Sequence, residues 1–341
     1  MKRKFFTTIL VLGSLIFSAG AWNYEGHHTV NELALATLPP NFGGFELTPA
    51  LKNRIAYLAG EPDRWRNITD LELVHENGPD HYFDLEDIAL CGLTPETLPP
   101  LRYDFVAVLA RARAAHPEAF PVINPEKDAD HTRELDGFLP WAITEYFEKL
   151  KSDFSVLKAF QQNGGTPDEI LNAQADIVYV MGVMGHYVGD GAQPLHTTKH
   201  FNGWVGPNPK GYTTRTTIHG WIDGGYFRKT GGIFAEPLVG KMHAAERVPE
   251  ADEAGGVFKQ VVAYLEDGNK LVEPLYDMEK NGRLSGEGDK GMEGRAFLEG
   301  QIVKGGQMLG NLWYTAWVEA PEDTYLERDL QRRAAEAADK K

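Results

Sequence analysis

Apolar residues recur at intervals of three and four along most of this chain, as they do on one face of an α-helix. The pattern predicts helices at residues 30–38, 48–60, 101–115, 138–150, 169–190, 257–265, 295–318 and 326–338. The segment 169–190 is the most apolar of these, so it is predicted to be a buried central helix. No run of alternating apolar and polar residues indicates a sheet. We therefore expect an all-α protein with a single compact multi-helix domain.

Polar stretches rich in Gly and Pro separate the predicted helices and are expected to form loops. They cover residues 77–80, 121–130, 163–168, 202–215 and 282–294. After residue 322 the chain becomes highly charged but keeps a helical pattern. We therefore expect a helical domain at residues 22–322, followed by a charged, solvated helical tail at residues 323–341.

The start of the chain has the three parts of a secretory signal peptide, which would occupy residues 1–21. Residues 2–4 are basic, residues 5–17 are apolar, and residues 19–21 are small enough for cleavage. The apolar part is shorter than the roughly 20 residues that a membrane span needs. We expect a secreted or periplasmic protein without stable membrane insertion, and an uncleaved N-terminal anchor is the alternative. Cleavage would make Trp22 the first residue.

The net charge and the cysteine content argue against a basic nucleic-acid-binding surface and against an internal disulfide. The formal net charge is −15, and removal of the first 21 residues, which hold three basic and no acidic residues, would make it −18. Such a charge argues against a protein that holds nucleic acid on a basic surface. Cys91 is the single cysteine, so no internal disulfide can form. We expect it to be a small apolar residue rather than a nucleophile.

The first candidate metal ligands are two His-x-x-x-Asp pairs, His186 with Asp190 and His219 with Asp223. His196 lies between the two pairs in the sequence. Side chains four residues apart project from the same face of a helix. Imidazole and carboxylate groups are ligands that suit zinc. A pair of this kind is often only a hydrogen bond on a helix surface. His186 and Asp190, however, lie on the most apolar helix, where a charge must be paired or bound to metal.

Further candidates lie earlier in the chain. Asp63 is followed by Arg66, and His81 is followed by Tyr82 and Asp84. The alternatives are a surface ion pair for Asp63 with Arg66 and a hydrogen-bonded core histidine for His81. At the expected mature terminus, a free α-amine with a pKa of about 8 is able to bind a metal. That amine would belong to Trp22, with His27 five residues further on.

In chain order, these residues resemble the zinc ligands of the superfamily that joins single-strand-specific zinc nucleases with bacterial zinc-dependent phospholipases C. The resemblance covers most of the chain between the expected cleavage point and Asp223. It implies the all-α fold of that superfamily, with a cleft for three zinc ions. One zinc would bind Asp63, His81, His186 and Asp190, a second would bind Trp22, His27 and Asp190, and a third would bind His196, His219 and Asp223.

The resemblance also implies a function. The closest branch is the single-strand-specific nucleases, which act on single-stranded DNA, RNA or nucleotides and leave 5′-phosphate products, with 3′-nucleotidase action as a second activity. Asp63 would orient or deprotonate water, and Arg66 would stabilise charge on the phosphoryl oxygens. Tyr82 and Asp84 would stack on and hydrogen-bond a base. We expect a monomer with no protein partner.

Other functions remain open at this level. A zinc-dependent phospholipase C or another phosphoesterase is the main alternative, and an exported, non-catalytic zinc-binding protein is a further one. Arg66, Tyr82 and Asp84 favour the nuclease branch, because they match positions at which such nucleases bind phosphate and a base. Asp223 favours it too, because the phospholipases tend to have Glu at that position. The nucleases usually carry a Gly-Gly-Asn segment after the ligand matched by His196, and this chain lacks it. Asn202 or Trp204 would have to substitute for that segment.

Overall fold

The structure, a computed structural model, describes residues 22–339, so the predicted signal peptide lies outside the described residues. The helices, in chain order, are α1 (Tyr24–Thr37), α2 (Pro49–Leu58), α3 (Glu61–Arg66), α4 (Leu71–Asn77), α5 (Arg102–Ala115), α6 (Leu139–Asn163), α7 (Pro167–Ala192), α8 (Ile218–Gly220), α9 (Tyr226–Lys229), α10 (Gly256–Asn269), α11 (Val272–Lys280), α12 (Gly288–Met292), α13 (Gly294–Val318) and α14 (Thr324–Ala338). A π-helical turn, Trp221–Gly225, joins α8 to α9. Within residues 22–339, β-structure is limited to two isolated bridges. The prediction of an all-α protein is confirmed.

The predicted central helix is α7, and it lies at the middle of the molecule. A capping box formed by Thr166 and Glu169 starts the helix. Every residue from Val180 to Ala192 is buried, because α1, α2, α6 and α13 all pack against this helix. The polar residues His186 and Asp190 are therefore held inside the protein on a rigid, completely surrounded element.

Glycines allow α1 and α2 to approach α7 closely. A Cβ atom at Gly185 would lie 1.7 Å from Oδ1 of Asn31, and one at Gly189 would lie 2.8 Å from Nδ1 of His27. The side-chain amide of Asn31 donates hydrogen bonds to the carbonyls of Ile55 and Gly182. Only glycine leaves room for these contacts. The close packing brings His27 on α1 next to the polar residues of α7.

Several boundaries differ from the sequence-based expectation. The helix predicted at residues 138–150 continues to Asn163, because Phe154 and Leu157 extend its buried face, and Gly164 ends it in a left-handed conformation. Helices α3, α4, α8, α9, α11 and α12 were not predicted, and each has nine residues or fewer. Helix α12 lies inside the predicted loop at 282–294.

The C-terminal region is attached to the rest of the domain. Helix α14 packs against α6, with Leu330 buried. Arg333 forms an ion pair with Glu169 at the start of α7. Across the described residues 22–339, no helix combines the length and the apolar character needed to cross a membrane.

Cys91 packs against the hydrophobic core and is partly buried. Burial raises the pKa of its thiol to about 11. The thiol is therefore protonated at neutral pH, as expected for a packing residue and not for a nucleophile.

Candidate metal centre

The structure brings together eight side chains that the sequence singled out as metal ligands. His27 comes from α1, Asp63 from α3, and His186 with Asp190 from α7. Two 3₁₀ turns, Gly78–His81 and Pro194–His196, supply a histidine each. His219 and Asp223 come from α8 and the π-helical turn that follows it. The side chains form three adjoining groups, each able to hold a metal ion: Asp63, His81 and His186; His27, His186 and Asp190; His196, His219 and Asp223.

In the first group, imidazole and carboxylate atoms converge on one point. Nε2 of His186 lies 2.9 Å from Nδ1 of His81 and 3.4 Å from Oδ2 of Asp190. Nδ1 of His81 lies 3.0 Å from the same oxygen of Asp190. Oδ1 of Asp63 lies 4.0 Å from Nε2 of His186. Ligands of a tetrahedral zinc ion with bonds of about 2.0 Å are separated by roughly 3.3 Å, so these spacings suit such an ion.

Asp190 also faces the second group through its other oxygen. Oδ1 lies 3.4 Å from Nε2 of His27, whereas Oδ2 faces His81 and His186. The rings of His27 and His186 are stacked, with centroids 3.8 Å apart. One carboxylate therefore lies between two neighbouring groups and is placed to bridge two ions.

The third group is built on the π-helical turn. Nε2 of His219 lies 3.0 Å from Nε2 of His196 and 2.9 Å from Oδ2 of Asp223. The other oxygen of Asp223 accepts a hydrogen bond of 2.6 Å from the side-chain amide of Gln193. Single π-turns inside helices are frequent at functional sites, where they re-aim side chains. Here the turn and Gln193 together orient Asp223 toward the two histidines.

Hydrogen bonds to backbone carbonyls fix the tautomers of two histidines. Nδ1–H of His186 donates to the carbonyl of Ala59 at 2.7 Å, and Nδ1–H of His196 donates to the carbonyl of His81. In a neutral imidazole, the second nitrogen then carries a lone pair. Nε2 of both rings is therefore free to bind a metal, which is the arrangement typical of metal-ligating histidines.

Burial keeps most of the histidines in the cluster neutral. Burial lowers the pKa of His27 and of His196, and it lowers the pKa of His81 to about 3. Burial acts in the same direction on His186, but Asp190 and Asp63 outweigh it and raise the pKa of His186. Neutral imidazole is the form that binds a metal.

The two central carboxyl groups are ionised. Burial opposes ionisation of Asp190, yet His186 and His196 hold the pKa of Asp190 well below its usual range. Burial likewise opposes ionisation of Asp63, and Arg66, whose Nε lies 3.0 Å from Oδ1 of Asp63, lowers the pKa of that carboxyl. Both groups therefore present negative charge to the cluster.

Several buried polar atoms of the cluster have no hydrogen bond within the described part of the chain. They include both ring nitrogens of His27, Oδ1 of Asp190 and Oδ2 of Asp223. Leaving such atoms unsatisfied is costly, so native proteins pair nearly all of them. Metal ions between these atoms would satisfy them. The arrangement fits metal ions, and its nitrogen and oxygen donors suit zinc.

Trp22, the remaining predicted ligand, lies at the edge of the same cluster. Its indole is buried, and Nε1–H donates to the carbonyl of Gly189 at 2.9 Å. The next amide, of Asn23, donates to the carbonyl of Asp223 at 3.0 Å. The chain therefore enters α1 between α7 and the π-helical turn. Metal binding by the Trp22 amine depends on cleavage after residue 21, outside the described residues, and stays a prediction.

A cavity of about 380 Å³ opens beside the ligands, and we call it the first cavity. Among the residues that line it are the ligands His81, His196 and His219 and the predicted substrate residues Arg66, Tyr82 and Asp84. The substrate residues that the sequence singled out thus share one wall with the ligands. Burial raises the pKa of Asp84 well above its usual range, with Asp87 and Glu86 adding to the effect.

Sequence reasoning missed part of this cavity. Asp130 and Thr132, from the segment 92–132 that had no predicted role, line it, and so does Arg133, the next residue. Phe201 lines it as well. These residues lie on irregular segments without helical periodicity, so only their residue types could have suggested a binding role.

The two proposed substitutes for the missing Gly-Gly-Asn segment have other partners. The side-chain oxygen of Asn202 accepts a hydrogen bond from the backbone amide of His219. Trp204 stacks on His200 with ring centroids 3.8 Å apart. Phe201, which directly precedes Asn202, is the residue of this segment that lines the first cavity.

Comparison with known proteins adds no assignment. No protein-family model matches the sequence, and no curated protein matches it at a significant level. The chemistry of this centre is therefore inferred from its own residues.

Proposed function

We propose that this protein is an exported zinc-dependent phosphodiesterase that hydrolyses single-stranded nucleic acid. The observation that carries the proposal is the joint arrangement of ligands and cleft: three adjoining His and Asp groups share a wall with a cavity that contains Arg66, Tyr82 and Asp84. A site that only stores or structurally uses metal has no need of an open cavity with cationic and aromatic walls.

The three ligand groups would hold three zinc ions. Asp190 would bridge the first two groups, and the amine and carbonyl of Trp22 would complete the ligands around His27. Zinc, when bound, supplies Lewis acidity toward phosphoryl oxygens and lowers the pKa of water to about 7. Gln193 and the carbonyls of Ala59 and His81 hold Asp223, His186 and His196 in the orientation that this requires.

Asp63 and Arg66 would act on the reacting groups. The ionised carboxylate of Asp63 would orient the attacking water and accept its proton. The guanidinium of Arg66 lines the first cavity and lies beside Asp63, so it is placed to donate hydrogen bonds to a phosphoryl oxygen as negative charge develops there. An arginine in this position also neutralises part of the charge of a phosphodiester.

Tyr82, Phe201 and Asp84 would recognise a base. Both rings line the first cavity, and Oδ1 of Asp84 is buried without a hydrogen bond, so it is available to a donor on the edge of a base. Stacking on aromatic side chains requires an unstacked base, which a single strand provides more readily than a duplex. This favours single-stranded DNA or RNA as the substrate.

A phospholipase C is the second candidate for this centre. Its substrate would bring a cationic head group or a diacylglycerol into the cleft. The first cavity is lined by Arg66 and Arg133 and also by Asp84 and Asp130, so it offers both a cation for a phosphate and acceptors for a base edge. This mixture, with the rings of Tyr82 and Phe201, favours a nucleotide over a diacylglycerol.

The direct test compares two substrates. Zinc-loaded protein that begins at Trp22 is assayed on single-stranded DNA and on phosphatidylcholine, with and without a chelator. We expect cleavage of the DNA, with 5′-phosphate ends, that the chelator abolishes. Release of phosphocholine instead would assign the protein to the phospholipases. Neither activity, with three zinc ions still bound, would indicate a non-catalytic zinc protein.

A further inference from the structure

A second cavity lies beside the metal centre, and the proposed function gives it no role. Its volume is about 700 Å³, and the ligands Asp63 and Asp223 line it. The first cavity is lined instead by the ligands His81, His196 and His219. The two cavities adjoin at Asn67, which lines both, and different ligands line each of them. A phosphodiester with its phosphorus at the cluster has two ester arms, and each arm would point toward one of the cavities.

The second cavity carries cationic side chains. Arg228, on α9, lines it and is exposed, and within residues 22–339 no carboxylate lies within ion-pair distance of it. A Cβ atom at Gly224 would lie 2.8 Å from Nη1 of Arg228, so the missing side chain lets the guanidinium approach the backbone next to Asp223. Arg215 lines the cavity too, although it is 3.5 Å from Glu279. These arginines place positive charge beside the carboxylates of Asp63 and Asp223, which line the same cavity, in a protein of formal net charge −15.

Aromatic rings lie beside these cations. The indole Nε1–H of Trp221 donates to the carbonyl of Leu284, which fixes the ring in the wall of the cavity. Tyr24 lines the second cavity too and is 43% exposed. Its ring and the guanidinium of Arg64 both lie against Gly60. Arg64 in turn stacks 4.5 Å from the ring centroid of Tyr57. Arg64 also forms an ion pair with Glu61. Rings and arginines thus lie next to each other in the cavity and on the surface beside it.

We propose that the second cavity binds the part of a single strand that lies across the scissile phosphate from the base in the first cavity, and that Arg228 binds a phosphate other than the scissile one. The inference rests on the proposed function. Alternating cations and aromatic faces are the way in which proteins track a single strand without reading its sequence. It follows that oligonucleotides are better substrates than dinucleotides or 3′-mononucleotides, which have no further phosphate to offer.

Replacement of Arg228 tests the inference. We expect Arg228→Ala to lower kcat/KM about tenfold for a single-stranded octanucleotide, and less than about twofold for a dinucleotide, whose only phosphate is the scissile one. The dependence of log(kcat/KM) on log(salt) should become shallower by about 0.7 for the octanucleotide, as expected when one phosphate contact is lost. Arg228→Lys should retain part of the activity, because it keeps the charge.

Arg328→Ala serves as the matched control, since this arginine lies on α14, which packs against α6 and not against either cavity. Equal losses for the octanucleotide and the dinucleotide would overturn the subsite, and so would an unchanged salt dependence, while the nuclease function would stand. Wild-type protein that cleaves neither oligonucleotide would overturn the proposed function itself and this inference with it. The two failures are therefore distinguishable.

Discussion

The ligand cluster and the first cavity meet at the same residues but are built in opposite ways. Most of the ligands lie on helices or on the tight turns next to them, and all except Asp63 are buried. The walls of the cavity come largely from irregular segments, such as the one that carries Asp130 and Arg133 and the one that carries Phe201. A rigid cluster is thus joined to a cleft made of loops.

The contrast reflects two different demands. Metal ligands must be held to within a few tenths of an ångström, which packed helices achieve and loops rarely do. Substrate contacts tolerate more variation, and loops on a rigid scaffold commonly supply them. Changes in the cluster should therefore affect metal content and activity together. Changes in the cavity should alter substrate selection and leave the metal centre intact.

The largest effect is expected for Asp190→Asn, which tests the cluster directly. The carboxylate faces two of the three ligand groups, so its neutralisation should weaken both. We expect zinc content to fall from three ions to about one per chain, and hydrolysis of single-stranded DNA to fall at least about a thousandfold. Metal analysis of the purified protein and a steady-state assay measure the two quantities.

Asp223→Asn is the matched comparison for Asp190→Asn. It alters only the third group and should cost a single ion. If Asp190→Asn also lost one ion only, the bridging position of Asp190 would be refuted.

Gly185→Ala tests whether the cluster depends on close helix packing. The added Cβ would overlap the side-chain oxygen of Asn31, 1.7 Å away. We expect a loss of about 1–3 kcal/mol in the free energy of unfolding, because overpacking a core forces the helices apart. Denaturant unfolding gives the value, and zinc affinity should fall with it, since His186 is the next residue.

The control for Gly185→Ala is Gly300→Ala on α13, where a Cβ meets no atom within 4 Å. There the substitution should be stabilising by about 0.5–1 kcal/mol, because alanine restricts the unfolded chain and favours the helix. Similar destabilisation by both substitutions would show that close packing of α1 on α7 is not the cause.

Tyr82→Ala tests the cavity while sparing the cluster. Loss of a stacking ring should raise KM for single-stranded oligonucleotides about tenfold, since base stacking on an aromatic side chain contributes about 1–3 kcal/mol. Zinc content should be unchanged. Tyr82→Phe should behave like the wild type, because its ring is retained while the hydrogen bond to the carbonyl of Leu135 is lost. Steady-state kinetics with both variants would contradict a stacking role if Tyr82→Phe were as impaired as Tyr82→Ala.

The smallest effect is expected at Asp153, a carboxyl that is buried in part but has no histidines around it. Burial, aided by Asp176, raises the pKa of Asp153 to about 6. An acid with a raised pKa in the folded state destabilises the fold once it ionises, so stability is lost as the pH rises from about 4 through 6. Asp153→Asn should therefore be more stable than the wild type at pH 7, by about 1 kcal/mol after allowance for partial exposure.

The pH dependence gives the test of that prediction. The difference between Asp153→Asn and the wild type should shrink toward pH 4, where the wild-type carboxyl is protonated in both states. Unfolding measured at pH 4 and pH 7 with constant zinc decides it. An equal difference at both values would mean that ionisation of Asp153 is not responsible.

Local signals account for what could be predicted. The apolar spacing identified α2, α5, α7, α10, α13 and α14 within a few residues, because helical periodicity is a property of neighbouring positions. Helix α1 was predicted from residue 30 but begins at Tyr24. The His and Asp residues could be selected by type and spacing, and buried polar residues on an apolar helix, such as His186, pointed to a metal. The short helices α3, α4, α8, α9, α11 and α12 escaped prediction because each, at nine residues or fewer, has too few turns to show a clear period.

Distances between remote segments were decided only by the tertiary structure. The sequence by itself determined an all-α protein with a set of candidate ligands. Folding determined that Asp190 divides its two oxygens between neighbouring groups, that Phe201 and Arg133 meet at one cavity, and that a second cavity with Arg228 lies beyond the ligands. These relations join residues far apart in the chain through the packing of α7 against its neighbours, and no local pattern encodes them.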